Sequence, residues 1–189
     1  MAVDRRVLRT RNALYDALVS LIRRKAYDLI TVEDILREAG IGRATFYAHF
    51  TSKDDLLERS LDRLRELLVA TETSSKAAAE PGQTVSRVFF DHVAQYRDIP
   101  VALASGRGGT IVREAIDRIV AERIKAVIPS EPTGPLPREL VVLHIVSALN
   151  TTLRWWLERG QHLGPAEAHA LFARLVLKGV PKEAVKLFI

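Results

Sequence analysis

Residues 31–50 read TVEDILREAGIGRATFYAHF, and the glycines at their centre decide the reading. Thr31 offers a hydroxyl that caps a helix start, with Asp34 three residues on, at the partner position of a capping box. Ile35, Leu36 and Ala39 make a short apolar stripe. Gly40-Ile41-Gly42 then ends the helix: Gly40 suits the left-handed position that follows a helix, and Ile41 folds back as its hydrophobic contact. A second helix carries Arg43, Ala44, Thr45, Phe46, Tyr47, His49 and Phe50. Two helices joined by a short glycine-containing turn are a helix-turn-helix, whose second helix enters the DNA major groove.

Upstream, residues 8–25 form a long helix with Leu8, Ala13, Leu14, Ala17, Leu18, Leu21 and Ile22 on one stripe. The small core expected around the motif is Leu14, Leu18, Leu21, Leu29, Val32, Ile35, Leu36, Ile41, Phe46 and Phe50. A unit of about fifty residues is small for independent stability, so it is expected to lean on the helices downstream of it. The chain carries a formal charge of +5, and residues 1–25 hold all of that excess. Arg5, Arg6, Arg9, Arg11, Arg23, Arg24 and Lys25 stand there against Asp4 and Asp16. The excess charge thus lies beside the motif, where it can face phosphates.

Downstream, the periodicity predicts helices only. One starts at Thr51-Ser52-Lys53-Asp54-Asp55 and runs to roughly residue 73; others cover 84–96, 99–103, 111–128, 138–159 and 165–178. Gly106, Gly108 and Gly109 interrupt at a helix-to-helix turn; without a βα context they are not a phosphate-binding loop. PSEPTGPLP at 129–137 reads as a loop, SSKAAAEPGQ at 74–83 as a break, and 180–189 as a tail. The fold class is all-α with eight or nine helices. The expected domains are 1–52, a three-helix DNA-binding head, and 53–189, a helical body.

Absent residue types narrow the chemistry. There is no cysteine, which removes disulfides, thiolate catalysis and cysteine-based metal sites. The histidines at 49, 92, 144, 162 and 169 make no tight ligand pair, and no acid–base–nucleophile set gathers, so an enzyme is not expected and no cofactor is called for. No apolar run approaches the ~20 residues of a membrane span, and the expected location is cytoplasmic.

The run from Arg9 to Leu57 resembles the TetR family of bacterial transcription regulators. The matching pieces are T-V-E-D-I, A-G-I, R-A-T-F-Y, H-F and K-D-D-L-L; R-W-W-L-E at 154–158 resembles a group of its C-terminal domains. The resemblance implies that Arg43, Ala44, Thr45, Tyr47 and His49 sit at DNA-contacting positions, with Lys53 and Thr31 at phosphate-contacting ones. Arg43 suits guanine O6 and N7 or else a phosphate, and Ala44 a thymine methyl or a close backbone approach. The hydroxyls of Thr45 and Tyr47 suit phosphate oxygens, while His49 suits either the DNA backbone or packing against the fourth helix. Where the family often has serine, this chain has Gly42, so one hydroxyl is missing.

The resemblance further implies a homodimer on a palindromic operator, paired through the last two long helices. Ser147, Ala148, Thr151, Trp155, Leu171 and Leu175 are the interface candidates. It implies a small-molecule effector in the C-terminal domain, apolar or weakly polar, with Phe89, His92, Tyr96, Arg107, His144, Asn150 and Trp156 as candidates. Repression relieved by the effector is the family's common case. The alternatives are a transcriptional activator and a helical scaffold whose DNA-binding head is degenerate.

Overall fold

The computed structural model describes residues 5–77, 84–104, 106–127 and 136–179. Among them the chain is all-α. The helices are α1 (Arg5–Ile22), α2 (Val32–Ala39), α3 (Arg43–Tyr47), α4 (Lys53–Ser60), α5 (Asp62–Ala77), α6 (Val85–Gln95), α7 (Asp98–Leu103), α8 (Arg107–Val127), α9 (Arg138–Glu158) and α10 (Pro165–Lys178), with a 3-10 turn at Tyr27–Leu29. The one helix expected from residue 53 to 73 is two, α4 and α5, parted at Leu61. Counting that pair as one leaves nine among the described residues. The expected loop at 129–137 lies outside the described residues up to 135, as do the tail from 180 and residues 78–83 of the expected break.

By compactness the chain divides into Met1–Leu67 with Tyr96–Ile116, and Leu68–Gln95 with Asp117–Ile189. The unit that holds the helix-turn-helix therefore extends beyond the boundary expected at residue 52. Its core consists of Leu14, Leu18, Leu21, Ile22, Tyr27, Ile30, Ile35, Phe46, Phe50, Leu56 and Leu57, completed by Leu103. Ile99, Ile111 and Val112 pack against it, so α7 and the start of α8 supply the apolar surface that the short head lacks.

Leu29 departs from the expected core: it is 69% exposed. The 3-10 turn has three residues per turn, so Tyr27 and Ile30 fall on one side and are buried, while Leu29 points out. Val32, Leu36 and Ile41 are only partly buried against the same core.

Glycine also behaves differently from expectation near residue 106. Gly108 and Gly109 do not interrupt a helix; they lie in the first turn of α8. A Cβ on Gly108 would stand 2.7 Å from Leu103 Cδ2 and 2.9 Å from the Tyr27 ring, and one on Gly109 would stand 2.1 Å from the Leu103 carbonyl oxygen. These two glycines admit close approach of α7 and the 3-10 turn to the α8 backbone. Of these three glycines Gly106, at φ 95°, is the one that uses positive-φ freedom.

In the second unit α10 packs on α6 and on α9. Its centre is aromatic: Phe90 meets Trp156 at 5.6 Å and Phe172 at 5.9 Å between ring centroids, and Trp156 donates its indole N–H to the Leu163 carbonyl at 2.9 Å. On α9, Val142, Val146, Leu149, Leu153 and Trp156 are buried. Contrary to the sequence reading, α9 is long and apolar enough to cross a membrane by length and composition, with mean hydropathy 1.3 over its best stretch. Its apolar residues are interrupted by His144, Asn150 and Arg154, which hid the run.

Candidate functional site

The helix-turn-helix forms for the reasons its residues suggest. The Thr31 hydroxyl accepts from the Asp34 N–H at 3.1 Å, and Asp34 Oδ2 accepts from the Thr31 N–H at 2.9 Å. Lys25 Nζ donates to the same oxygen at 2.6 Å. The lysine first, then the Thr31 groups, hold the Asp34 carboxyl well below its ordinary range. Gly40 takes φ 64° and ψ 32°, and Ile41 N–H returns to the Leu36 carbonyl at 3.1 Å.

Gly42 begins α3 in extended conformation without a side-chain cap. The helix is short: Ala48 closes it, and His49 and Phe50 lie in the turn beyond, their N–H groups bonded to the Phe46 carbonyl at 2.9 Å. Phe46 and Phe50 are buried. That inward pair fixes the opposite face: Arg43, Ala44, Thr45 and Tyr47 are all exposed, and His49 is half-buried beside Phe50. Tyr47 is 51% exposed, with its ring edge on Phe46 at 5.2 Å. Arg43 reaches Glu33 at 3.4 Å, both well exposed; such a surface pair is worth little and yields readily to a better anion.

Lys53 is more committed than its sequence position suggests. Its Nζ donates to the carbonyls of Tyr27 at 3.0 Å, Asp28 at 3.3 Å and Ile30 at 2.7 Å, and sits 4.6 Å from the centre of the Tyr27 ring. Its neighbour Asp54 accepts from the Tyr27 hydroxyl at 2.6 Å and from Arg107 Nε at 2.6 Å. Burial would raise the Asp54 carboxyl, but those two donors hold it below its ordinary value. Burial, then Asp54, pushes the Tyr27 phenol up.

The second unit holds an apolar cavity of about 310 Å³. Four helices each give it a pair of residues four apart: Val85 and Phe89 from α6, Val120 and Ile124 from α8, Ile145 and Leu149 from α9, Phe172 and Val176 from α10. Leu68, Thr84, Ser86 and Arg123 complete the wall. Of the effector candidates read from the sequence, Phe89 lines this cavity. Trp156 is in the aromatic core instead, His144 is exposed, and His92 is half-buried without lining it. Asn150 donates to Asp117 Oδ1 at 2.7 Å. Tyr96 and Arg107 belong to the first unit. The sequence reading sought polar and aromatic side chains, whereas the wall is mostly aliphatic; the signal that could have found it is the i, i+4 pairing on each helix.

One long face of α9 is uncovered. Leu140, Leu143, Ser147, Thr151 and Trp155 recur at spacings of three or four and are exposed, Leu143 at 62% and Trp155 at 38%. Ala148 beside them is half-buried, and Leu171 and Leu175 are exposed on α10. Among the described residues no cluster of three His, Asp or Glu side chains could hold a metal ion.

A short outward helix after a glycine turn, held by a buried phenylalanine and joined to a helical body, defines a helix-turn-helix protein. Residues 14–59 match the family model described as bacterial regulatory proteins, tetR family. Over 62 residues it is 45% identical to the uncharacterized HTH-type transcriptional regulator YxbF of Bacillus subtilis, covering 32% of this chain and 16% of that protein. Over 132 residues it is 30% identical to the HTH-type transcriptional regulator EthR of Mycobacterium tuberculosis, covering 64% of this chain and 61% of that one. The chain thus spans less than two thirds of these relatives' lengths. A solved TetR transcriptional regulator from Streptococcus agalactiae shares the fold with a TM-score of 0.60 at 24% identity, over 92% of this chain and 96% of that one.

Proposed function

We propose that this chain is a ligand-responsive transcriptional repressor that binds a palindromic operator as a homodimer. The observation that carries the reading is the outward face of α3, where Arg43, Ala44, Thr45 and Tyr47 stand free of the core while Phe46 anchors the helix. Arg43 reads a guanine edge or grips a phosphate; the hydroxyls of Thr45 and Tyr47 hold phosphate oxygens; His49 lies near the backbone. Thr31, at the start of α2, stands at the position of a second phosphate contact. Lys53 serves the DNA indirectly, by fixing the 3-10 turn from which α2 departs.

The apolar stripe of α9, with Leu171 and Leu175 of α10, pairs the subunits; burying it explains a face that would otherwise meet water. An effector held in the cavity of the second unit favours the arrangement that does not fit the operator, and DNA is released.

A mobility-shift titration against the DNA flanking the chain's own gene tests this. Saturable binding to a two-fold symmetric site, weakening steeply with salt, is the expected result. Equal, weak binding to every duplex would support the scaffold reading instead. A rise in transcription on adding the protein would replace repressor by activator.

A further inference from the structure

The first turn of α2 carries two carboxylates, and they are used differently. Asp34 is taken up by Lys25 and by the N–H and hydroxyl of Thr31. Glu33 faces outward, and among the described residues its ion pair is with Arg43, Nη2 to Oε2 at 3.4 Å. Arg37 stands exposed four residues on along the same helix, at the spacing where a glutamate ordinarily finds an arginine. Glu33 instead reaches across the turn to the first residue of α3.

Each member of this pair is badly placed by itself. A cation in the first turn of a helix meets the positive end of its dipole, and α3 begins at Gly42 with no side-chain cap to offset that. A carboxylate beside a DNA-reading arginine repels phosphates. Together they correct each other. A guanidinium has several N–H donors, so those that read guanine O6 and N7 leave others for Glu33. On a phosphate, the same guanidinium would draw two anions together. The pair is weak in water, but it gains strength where DNA displaces water from it.

Discrimination between partners is commonly built from such a repulsion. We propose that Glu33 is a specificity-determining residue: it steadies Arg43 for a base edge and disfavours the phosphate grip that any duplex offers. The inference rests on the DNA-reading assignment of α3 above.

Fluorescence anisotropy tests it with the full chain and two duplexes of equal length, the symmetric site recovered by selection from a random pool and a scrambled sequence. The proteins are the wild type, Glu33→Gln, Arg43→Ala and the double variant, each shown to be folded by circular dichroism. Glu33→Gln should bind the scrambled duplex about threefold tighter, a size that a surface ion pair can supply, with operator affinity little changed. In the Arg43→Ala background the same substitution should leave the ratio of the two affinities unaltered, because Glu33 acts through Arg43. Weakening of both duplexes alike would mark a purely structural carboxylate and overturn the proposal. So would an unchanged ratio in Glu33→Gln, a ratio lost through weaker operator binding, or an equal change without Arg43. A wild type that prefers no sequence removes the reading of α3 and this proposal together. A wild type that discriminates through Arg43, while Glu33→Gln keeps the full ratio, removes the role of Glu33 alone.

Discussion

Lys53 Nζ rests on three main-chain carbonyls, those of Tyr27, Asp28 and Ile30, and over the Tyr27 ring. At a helix start beside a DNA-reading motif, a lysine reads as a phosphate ligand, and only three-dimensional placement reveals the three carbonyls beneath it. Replacing it by methionine removes a charged donor from half-buried acceptors, at a cost of about 1–3 kcal/mol. Thermal melting of Lys53→Met should therefore show a transition several degrees lower; an unchanged melt with weaker DNA binding would return the lysine to phosphate contact. Asp34 gives a pH signature. Its carboxyl is held below its ordinary value in the folded chain, so its stabilising contribution is complete above the unfolded pKa of about 4 and is lost as pH falls towards the folded value. Urea midpoints measured from pH 6 to 3 should fall more steeply for the wild type than for Asp34→Asn. Parallel curves would show that the capping carboxylate is not responsible.

Helices were legible from their periodicity, their caps less so, and their neighbours hardly at all. The left-handed Gly40 and the Thr31–Asp34 box lie in local sequence because a turn and a cap are local interactions, and both are found. The short α3, the parting of α4 from α5 at Leu61 and the outward Leu29 depend on packing against other elements, which no single stretch encodes. Gly108 and Gly109 illustrate this. In sequence they resemble a helix break; in the fold they lie inside α8 because α7 and Tyr27 press against its first turn. Alanine is normally favoured over glycine in a helix by about 1 kcal/mol. Gly109→Ala should reverse that sign and lower the melting temperature, since its Cβ would collide with the Leu103 carbonyl oxygen. Gly42→Ala, with nothing within 4 Å of its Cβ, serves as the nearly neutral control. A more stable Gly109→Ala would refute the close approach of α7 to α8.

At the level of the assembled protein, the two faces of α9 carry the argument. One face is buried with Val146, Leu149 and Trp156, while the other leaves Leu140, Leu143 and Trp155 exposed. In the sequence this helix is apolar on more sides than an outer helix needs, although the sequence could not say which side was covered. Trp155 packs over Gly160, where an added Cβ would come within 2.7 Å of the ring. Leu143→Glu, at the most exposed leucine of the stripe, should convert the proposed dimer to monomer in sedimentation velocity and weaken operator binding at least tenfold. A variant that remains dimeric would move the interface elsewhere. The cavity residues were hidden for a different reason: a site walled by aliphatic side chains resembles a core until the space between them is seen.

The outward face of α3 is tested most directly by selecting binding sites from a random duplex pool with the wild type and with Arg43→Ala. The wild type should recover a two-fold symmetric sequence. Arg43→Ala should lose preference at a single base pair in each half-site, a guanine for the wild type, with affinity reduced by about 1–3 kcal/mol. Recovery of the same sequence at the same affinity by both proteins would contradict the assignment of α3 as the DNA-reading helix.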